Sequence, residues 1–187
     1  MRGQPLFGKV IGLFAIALGT GCTFATPPGG TSAPSSVEVL PADARALQYG
    51  SSAPEIFNSP QIRDKVRALF GSDWSPAGEG GGRLQYAAVS YFPGTSSIRM
   101  IRVDNQDYIA ITGCVPSACN THRGLVLIRS DGDQLWARLD EGGFSKYYGH
   151  GPAMMGAVVS PAFIDSAWRA VDRVDRTAAA TPLESAA

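Results

Sequence analysis

The sequence is short of net charge, of histidine and of cysteine, and each shortage excludes something. Sixteen Lys and Arg face sixteen Asp and Glu among 187 residues, so no field exists to hold a polyanion by displacing counterions, and no nucleic-acid partner is expected. Only two His and three Cys occur. Cys114, Cys119, His122 and His150 are the residues from which a zinc site could be assembled, but their spacing matches no common zinc pattern. No metal and no cofactor is therefore expected. Gly-x-Ser-x-Gly is absent, the glycines at 80–82 lack the lysine of a phosphate loop, and no nucleophile and base stand in a recognisable order. An enzyme is not expected. Long apolar runs are missing too, since a membrane helix needs about 20 such residues.

What is present begins with an export pattern. Arg2 and Lys9 precede the apolar run VIGLFAIAL, and small residues follow up to Gly21 and Cys22; residues 1–21 read as a secretion signal. Cys22 stands where a bacterial lipobox places its acceptor cysteine. Thr20 and Gly21 fit that pattern, while Gly19 occupies the usual leucine position. The alternative is ordinary cleavage after Ala25. The expected location is the periplasm or cell envelope, with a membrane contact through an acyl anchor if Cys22 is modified. Residues 22–54 read as a flexible tether, 55–176 as the folded domain and 177–187 as a loose tail.

Within the domain, Ser59-Pro60 and the apolar spacing of Ile62, Val66, Leu69 and Phe70 predict a helix over 60–70, closed by Gly71, with Trp74 as a core anchor. Residues 75–83 read as a loop. Short β-type runs follow at 86–92, 98–103, 108–112, 124–129 and 135–139, with tight turns at Pro93-Gly94, Asp104-Asn105 and Asp131-Gly132. Leu125, Val126, Leu127 and Ile128 are apolar without alternation, as in a strand covered on both faces, whereas 135–139 alternates and can have one wet face. Ser160-Pro161 starts a second amphipathic helix whose outer face pairs Asp165 with Arg169 and Asp172 with Arg176. The fold class is α+β: an antiparallel meander of about five strands covered by two amphipathic helices.

Cys114, Val115, Pro116, Ser117, Ala118 and Cys119 form the segment with most to say. In an oxidising compartment the two cysteines should pair, and about ten residues separate the flanking strands, longer than a hairpin needs. A cross-linked loop stiffened by Pro116 is either a staple or a preorganised contact element. The stretch 144–155, with Tyr147, Tyr148 and His150, either forms a further contact or covers a sheet end.

Tyr108, the Cys-x-Pro-x-x-Cys segment, Arg123 and the apolar strand after it resemble the inhibitor of vertebrate lysozyme (Ivy) family, without gaps over 108–139. The resemblance implies a periplasmic inhibitor whose disulfide-closed loop plugs the active-site cleft of a lysozyme-like glycosidase, non-covalently. Donors held between the two carboxyl groups of such an enzyme occupy the substrate's place without a bond to cut. The family loop usually carries His and Asp where this chain has Ser117 and Ala118, which implies weak action on a vertebrate lysozyme, a different peptidoglycan-cleaving target, or a scaffold that has lost inhibition. His122 is the candidate to replace the missing imidazole by folding over the loop. The alternatives are an envelope lipoprotein with a scaffolding role and a Cys/His zinc module.

Overall fold

The computed structural model describes residue 34 and residues 36–75, 84–152 and 161–180. The expected signal, Cys22 and Ala25 lie outside these, as do the loop residues 76–83, the helix-start residue Ser160 and the last part of the tail. Six strands form one antiparallel sheet in chain order: β1 (Val37–Val39), β2 (Ser97–Val103), β3 (Gln106–Cys114), β4 (His122–Arg129), β5 (Leu135–Glu141) and β6 (Phe144–His150). The α+β meander expected from the sequence is present with six strands rather than five.

Residues 86–92 are not a strand. They carry a 3-10 turn, Ala88–Tyr91, that leaves Tyr91 and Phe92 buried beneath the sheet. Two strands come from segments read otherwise. β1 falls inside the stretch read as tether and pairs Val37 with Val103, and a 3-10 turn at Ala44–Leu47 follows it, so ordered chain begins well before residue 55. β6 completes a hairpin with β5 across Gly142 and Gly143, whose φ values of 58° and 102° suit a turn that only residues tolerant of left-handed backbone can make.

The helix expected over 60–70 is α2 (Arg63–Phe70), and a further helix not expected from the sequence, α1 (Ala53–Asn58), precedes it. Ser59 ends α1 instead of starting the second, and its carbonyl accepts from Ile62 and Arg63 at 3.0 and 2.8 Å. Gly71, at φ 54°, closes α2 as expected. These helices bury Ile56, Phe57, Val66 and Phe70 against one face of the sheet, together with Met100, Ile109, Ile111, Val126 and Ile128. Trp74 packs edge-on against Phe57, with ring centroids 6.5 Å apart.

The other face takes α3 (Pro161–Ala180), which sets Ile164, Ala167, Trp168 and Val171 on Ile101, Ala110, Leu125 and Leu127. Strand β4 is thus covered on both sides, which is what its unbroken apolar run requires. The helix continues through 177–180, residues read as tail.

The acidic residues of α3 are not a merely solvated face. Asp165 bonds Arg138 of β5 at 2.9 Å and accepts from Tyr147, Asp172 accepts from Arg123 of β4, and Asp175 bonds Arg99 of β2 at 2.8 Å. Arg123 and Arg138 also lie over the Trp168 ring, 5.1 and 4.8 Å from its centre. The side of β5 expected to be wet is therefore occupied by Trp136 and Arg138 under the helix. Helical periodicity finds the Asp172–Arg176 pair, which forms at 2.6 Å, but cannot see arginines that arrive from the sheet.

Burial alone would raise the Asp172 carboxyl, yet hydrogen bonding and the charges of Arg123 and Arg176 outweigh it and hold the group below its ordinary 3.8. A depressed folded value means stability that is present above that ordinary value and lost as pH falls through the lower one. Asp172→Asn is expected to cost about 2 kcal/mol at neutral pH, with the difference vanishing in acid. Urea titrations at pH 7 and in the acid range test this, and an equal deficit at both would show that charge is not the cause.

Candidate functional site

The candidate site is built where β3 hands over to β4. Cys114 and Cys119 form a disulfide, with Cα atoms 4.9 Å apart. Val115 donates to the His122 carbonyl at 3.0 Å, Ala118 donates to the Val115 carbonyl at 2.8 Å, and His122 donates back to the Ala118 carbonyl at 2.8 Å. The Val115-to-Ala118 bond closes a four-residue turn with Pro116 at the position where its fixed φ suits the bend. Pro116 and Ser117 consequently stand exposed at the tip.

Apart from Cys114, which is half-buried at the end of β3, the residues of the loop divide in two. Val115 is buried in the core with the residues under α2, and Ala118 packs half-buried against the same cluster. These two root the loop. Pro116, Ser117 and Cys119 are exposed, as is Asn120 just beyond. The tip carries no charged side chain, so what it offers is a hydroxyl and the backbone on a closed ring.

Two glycines face each other at the base. Gly113 and Gly124 are directly paired across β3 and β4, and beneath them lie the Tyr91 backbone and the Phe92 ring. A methyl on Gly113 would meet the Tyr91 carbonyl oxygen and come within 2.5 Å of Ser96 Oγ, and one on Gly124 would fall 2.5 Å from Phe92 Cζ. Close approach of the 3-10 turn to the root of the loop depends on this pair.

The remaining sequence candidates are dispersed. His122 does not fold over the loop: it is only 8% exposed, set edge-on to Tyr86 with centroids 5.1 Å apart. Its Nδ1 lies 2.9 Å from Thr121 Oγ1. It starts β4, and the alternation of that strand points its ring into the core. Tyr147 and Tyr148 are consecutive on β6 and so face opposite sides of the sheet. Tyr147 donates to Asp165 and Tyr148 to Asp73, both at 2.9 Å. Burial, and then the bond to the Asp73 carboxylate, pushes the Tyr148 phenol above its ordinary value, which keeps it a donor.

His150 pairs with Leu135 at the end of the sheet away from the loop. The zinc alternative fails on this geometry: both sulfurs are consumed by the disulfide, the two imidazoles lie at opposite ends of the sheet, and among the described residues no three metal-binding side chains converge. Tyr108 and Arg123, part of the motif, are structural as well. Tyr108 packs on Trp136 and Phe163, and Arg123 is tied to Asp172.

Sequence reasoning included Phe144 in the stretch 144–155 but did not single it out. It sits at the tip of the β5–β6 hairpin, next to the loop, and is 80% exposed. The signal was available in Glu141-Gly142-Gly143-Phe144, since a Gly-Gly pair between strand-like runs marks a two-residue hairpin.

The sheet end thus projects a covalently closed loop whose tip carries no charged side chain. Residues 85–162 match the family model described as inhibitor of vertebrate lysozyme (Ivy), a span that holds the whole loop and both strands that carry it. The resemblance read from Tyr108, the Cys-x-Pro-x-x-Cys segment and Arg123 is thereby shown for this part of the chain. No curated protein matches the chain.

Proposed function

We propose that this chain is an exported inhibitor that blocks the active-site cleft of a lysozyme-like peptidoglycan glycosidase with the loop closed by Cys114 and Cys119. The family description is of lysozyme inhibition; the loop mechanism and the target class are this reading's own. The observation that carries it is the exposed Pro116-Ser117 tip on a ring rooted by Val115 and by its bonds to His122. A glycosidase of this kind cuts with two carboxyl groups flanking the scissile bond. The Ser117 hydroxyl donates to one such group and accepts from a protonated one, while the backbone of the ring fills the space of a sugar. Binding is non-covalent, no bond in either protein changes, and no cofactor takes part. Since a serine reaches less far than an imidazole, the better target is a glycosidase whose carboxyl groups are approached at short range.

The N-terminal pattern supports a periplasmic or envelope location, with Cys22 as an acyl-anchored residue or, in the other reading, cleavage after Ala25. The test is lysis of peptidoglycan by c-type, g-type and bacterial muramidases, with and without the purified exported chain. Inhibition of at least one class, weakest against the vertebrate c-type enzyme, is the expected result. Undiminished lysis by every class at a large excess of this protein would end the reading.

A further inference from the structure

The hairpin joining β5 and β6 rises from the same end of the sheet as the disulfide loop, and the two are tied together. Gly142 donates its backbone N–H to the Thr121 carbonyl at 3.2 Å. Between them lies a cleft whose lining includes Asn120, Thr121, Arg138, Asp140, Phe144 and Ser145. Its floor is ordered from within: Asp140 accepts from Arg138 at 2.8 Å and from Ser145 at 2.6 Å, and Arg138 reaches on to Asp165. One guanidinium there faces two carboxylates, and hydrogen bonds hold all three in place.

On the rim stands Phe144, and among the described residues the next most exposed large apolar side chain is Leu47, at 49%. Phe144 packs into neither core cluster. A two-residue turn with both glycines at positive φ is the sharpest way to join the strands, so the ring is presented on a stiff support.

We infer that Phe144 is a second contact arm, acting on the same partner as the loop and setting which glycosidase is bound. This rests on the reading of the loop as an inhibitor. The occupant is the wall of the enzyme's saccharide cleft beside its catalytic carboxyl groups. A surface that holds sugar rings has apolar faces interleaved with hydrogen-bonding groups. An exposed phenyl ring flanked by the Asn120 amide and the Thr121 hydroxyl is complementary to such a wall: the ring covers an apolar sugar subsite and the polar groups meet its rim. The loop alone is a small interface. The arm widens it on one side and places a single large aromatic at a fixed offset from Ser117, an arrangement that discriminates between clefts of different shape.

The experiment measures affinity and dissociation rate of the exported chain for the three muramidase classes, with Phe144→Ser and Ser117→Arg as variants and self-association followed by sedimentation. Phe144→Ser is expected to weaken binding about tenfold, mostly through faster dissociation, with an unchanged melting midpoint because the ring supports no core contact. Affinity within twofold of the parent would overturn the arm, and the loop reading would survive if Ser117→Arg abolished binding. Loss of binding in Phe144→Ser but not in Ser117→Arg would remove the loop reading and with it the arm as a second contact, leaving Phe144 as the main one. No binding by the parent chain would overturn both. A dimer that Phe144→Ser converts to monomer, with enzyme affinity unchanged, would assign the ring to self-association and overturn the arm.

Discussion

Replacing both Cys114 and Cys119 by Ser is expected to weaken binding to the target glycosidase by about a hundredfold, a larger effect than the accompanying loss of stability. The ring holds the tip in place but not the base. Val115 is buried and the root is hydrogen-bonded to His122, so the base of the loop persists without the sulfur bridge. The exposed residues at the tip are freed. Fixing roughly three residues again on binding costs about 3 kcal/mol, which is close to two orders of magnitude in affinity. Chain entropy for so small a ring is worth about 2 kcal/mol in folding, a change that denaturant titration of the same variant will register. Equal affinity in parent and double variant would mean that the bridge is only a staple.

The second large effect concerns the glycines beneath the loop. Gly113→Ala is expected to cost about 3 kcal/mol, since the added methyl meets the Tyr91 carbonyl, a backbone atom that cannot swing away. Gly124→Ala meets the far edge of the Phe92 ring. That ring is itself enclosed by Phe57 and Phe70 at 5.4 and 6.4 Å, so its relief is partial and a cost of about 2 kcal/mol follows. Gly142 is the control: its φ is 58° and nothing lies within 4 Å of an added Cβ, so Gly142→Asn should be nearly neutral. Urea unfolding of the three variants ranks them. A Gly113→Ala protein as stable as the parent would show that the 3-10 turn does not need its close approach.

Much of the sheet was legible because its signals are local. Leu125 to Ile128 form an unbroken apolar run that demands cover on both faces, and α2 and α3 supply it. Asp104-Asn105 announces a two-residue turn, and both residues adopt positive φ, at 45° and 65°. What could not be read was set by partners distant in the chain. Residues 86–92 have the composition of a strand, but the space over Gly113 and Gly124 takes a 3-10 turn. Val37–Val39 is too short to stand out from its Pro- and Ser-rich surroundings and becomes a strand only because β2 offers an edge. Residues 144–150 place two tyrosines in succession, which hides the alternation until β5 pairs with them. Spacing on α3 found the Asp172–Arg176 pair, but Asp165 turns to Arg138 and Tyr147 while Arg169 bonds Ser166, and the sheet arginines Arg99, Arg123 and Arg138 were missed. At the site, the cysteine spacing carried the loop, whereas burial of Val115 and His122 and exposure of Phe144 depend on which face of a strand each occupies.

The chain enters the sheet at the end opposite the loop. Ser36 bonds Asp104 in the β2–β3 turn, and Val37 pairs with Val103 beside it; Cys114 and Phe144 lie at the other end of the strands. Seven residues of extended strand span about 23 Å, so entry point and contact tip are separated by most of the height of the domain. A partner seated on the loop therefore leaves the edge at which Ser36 enters the sheet uncovered.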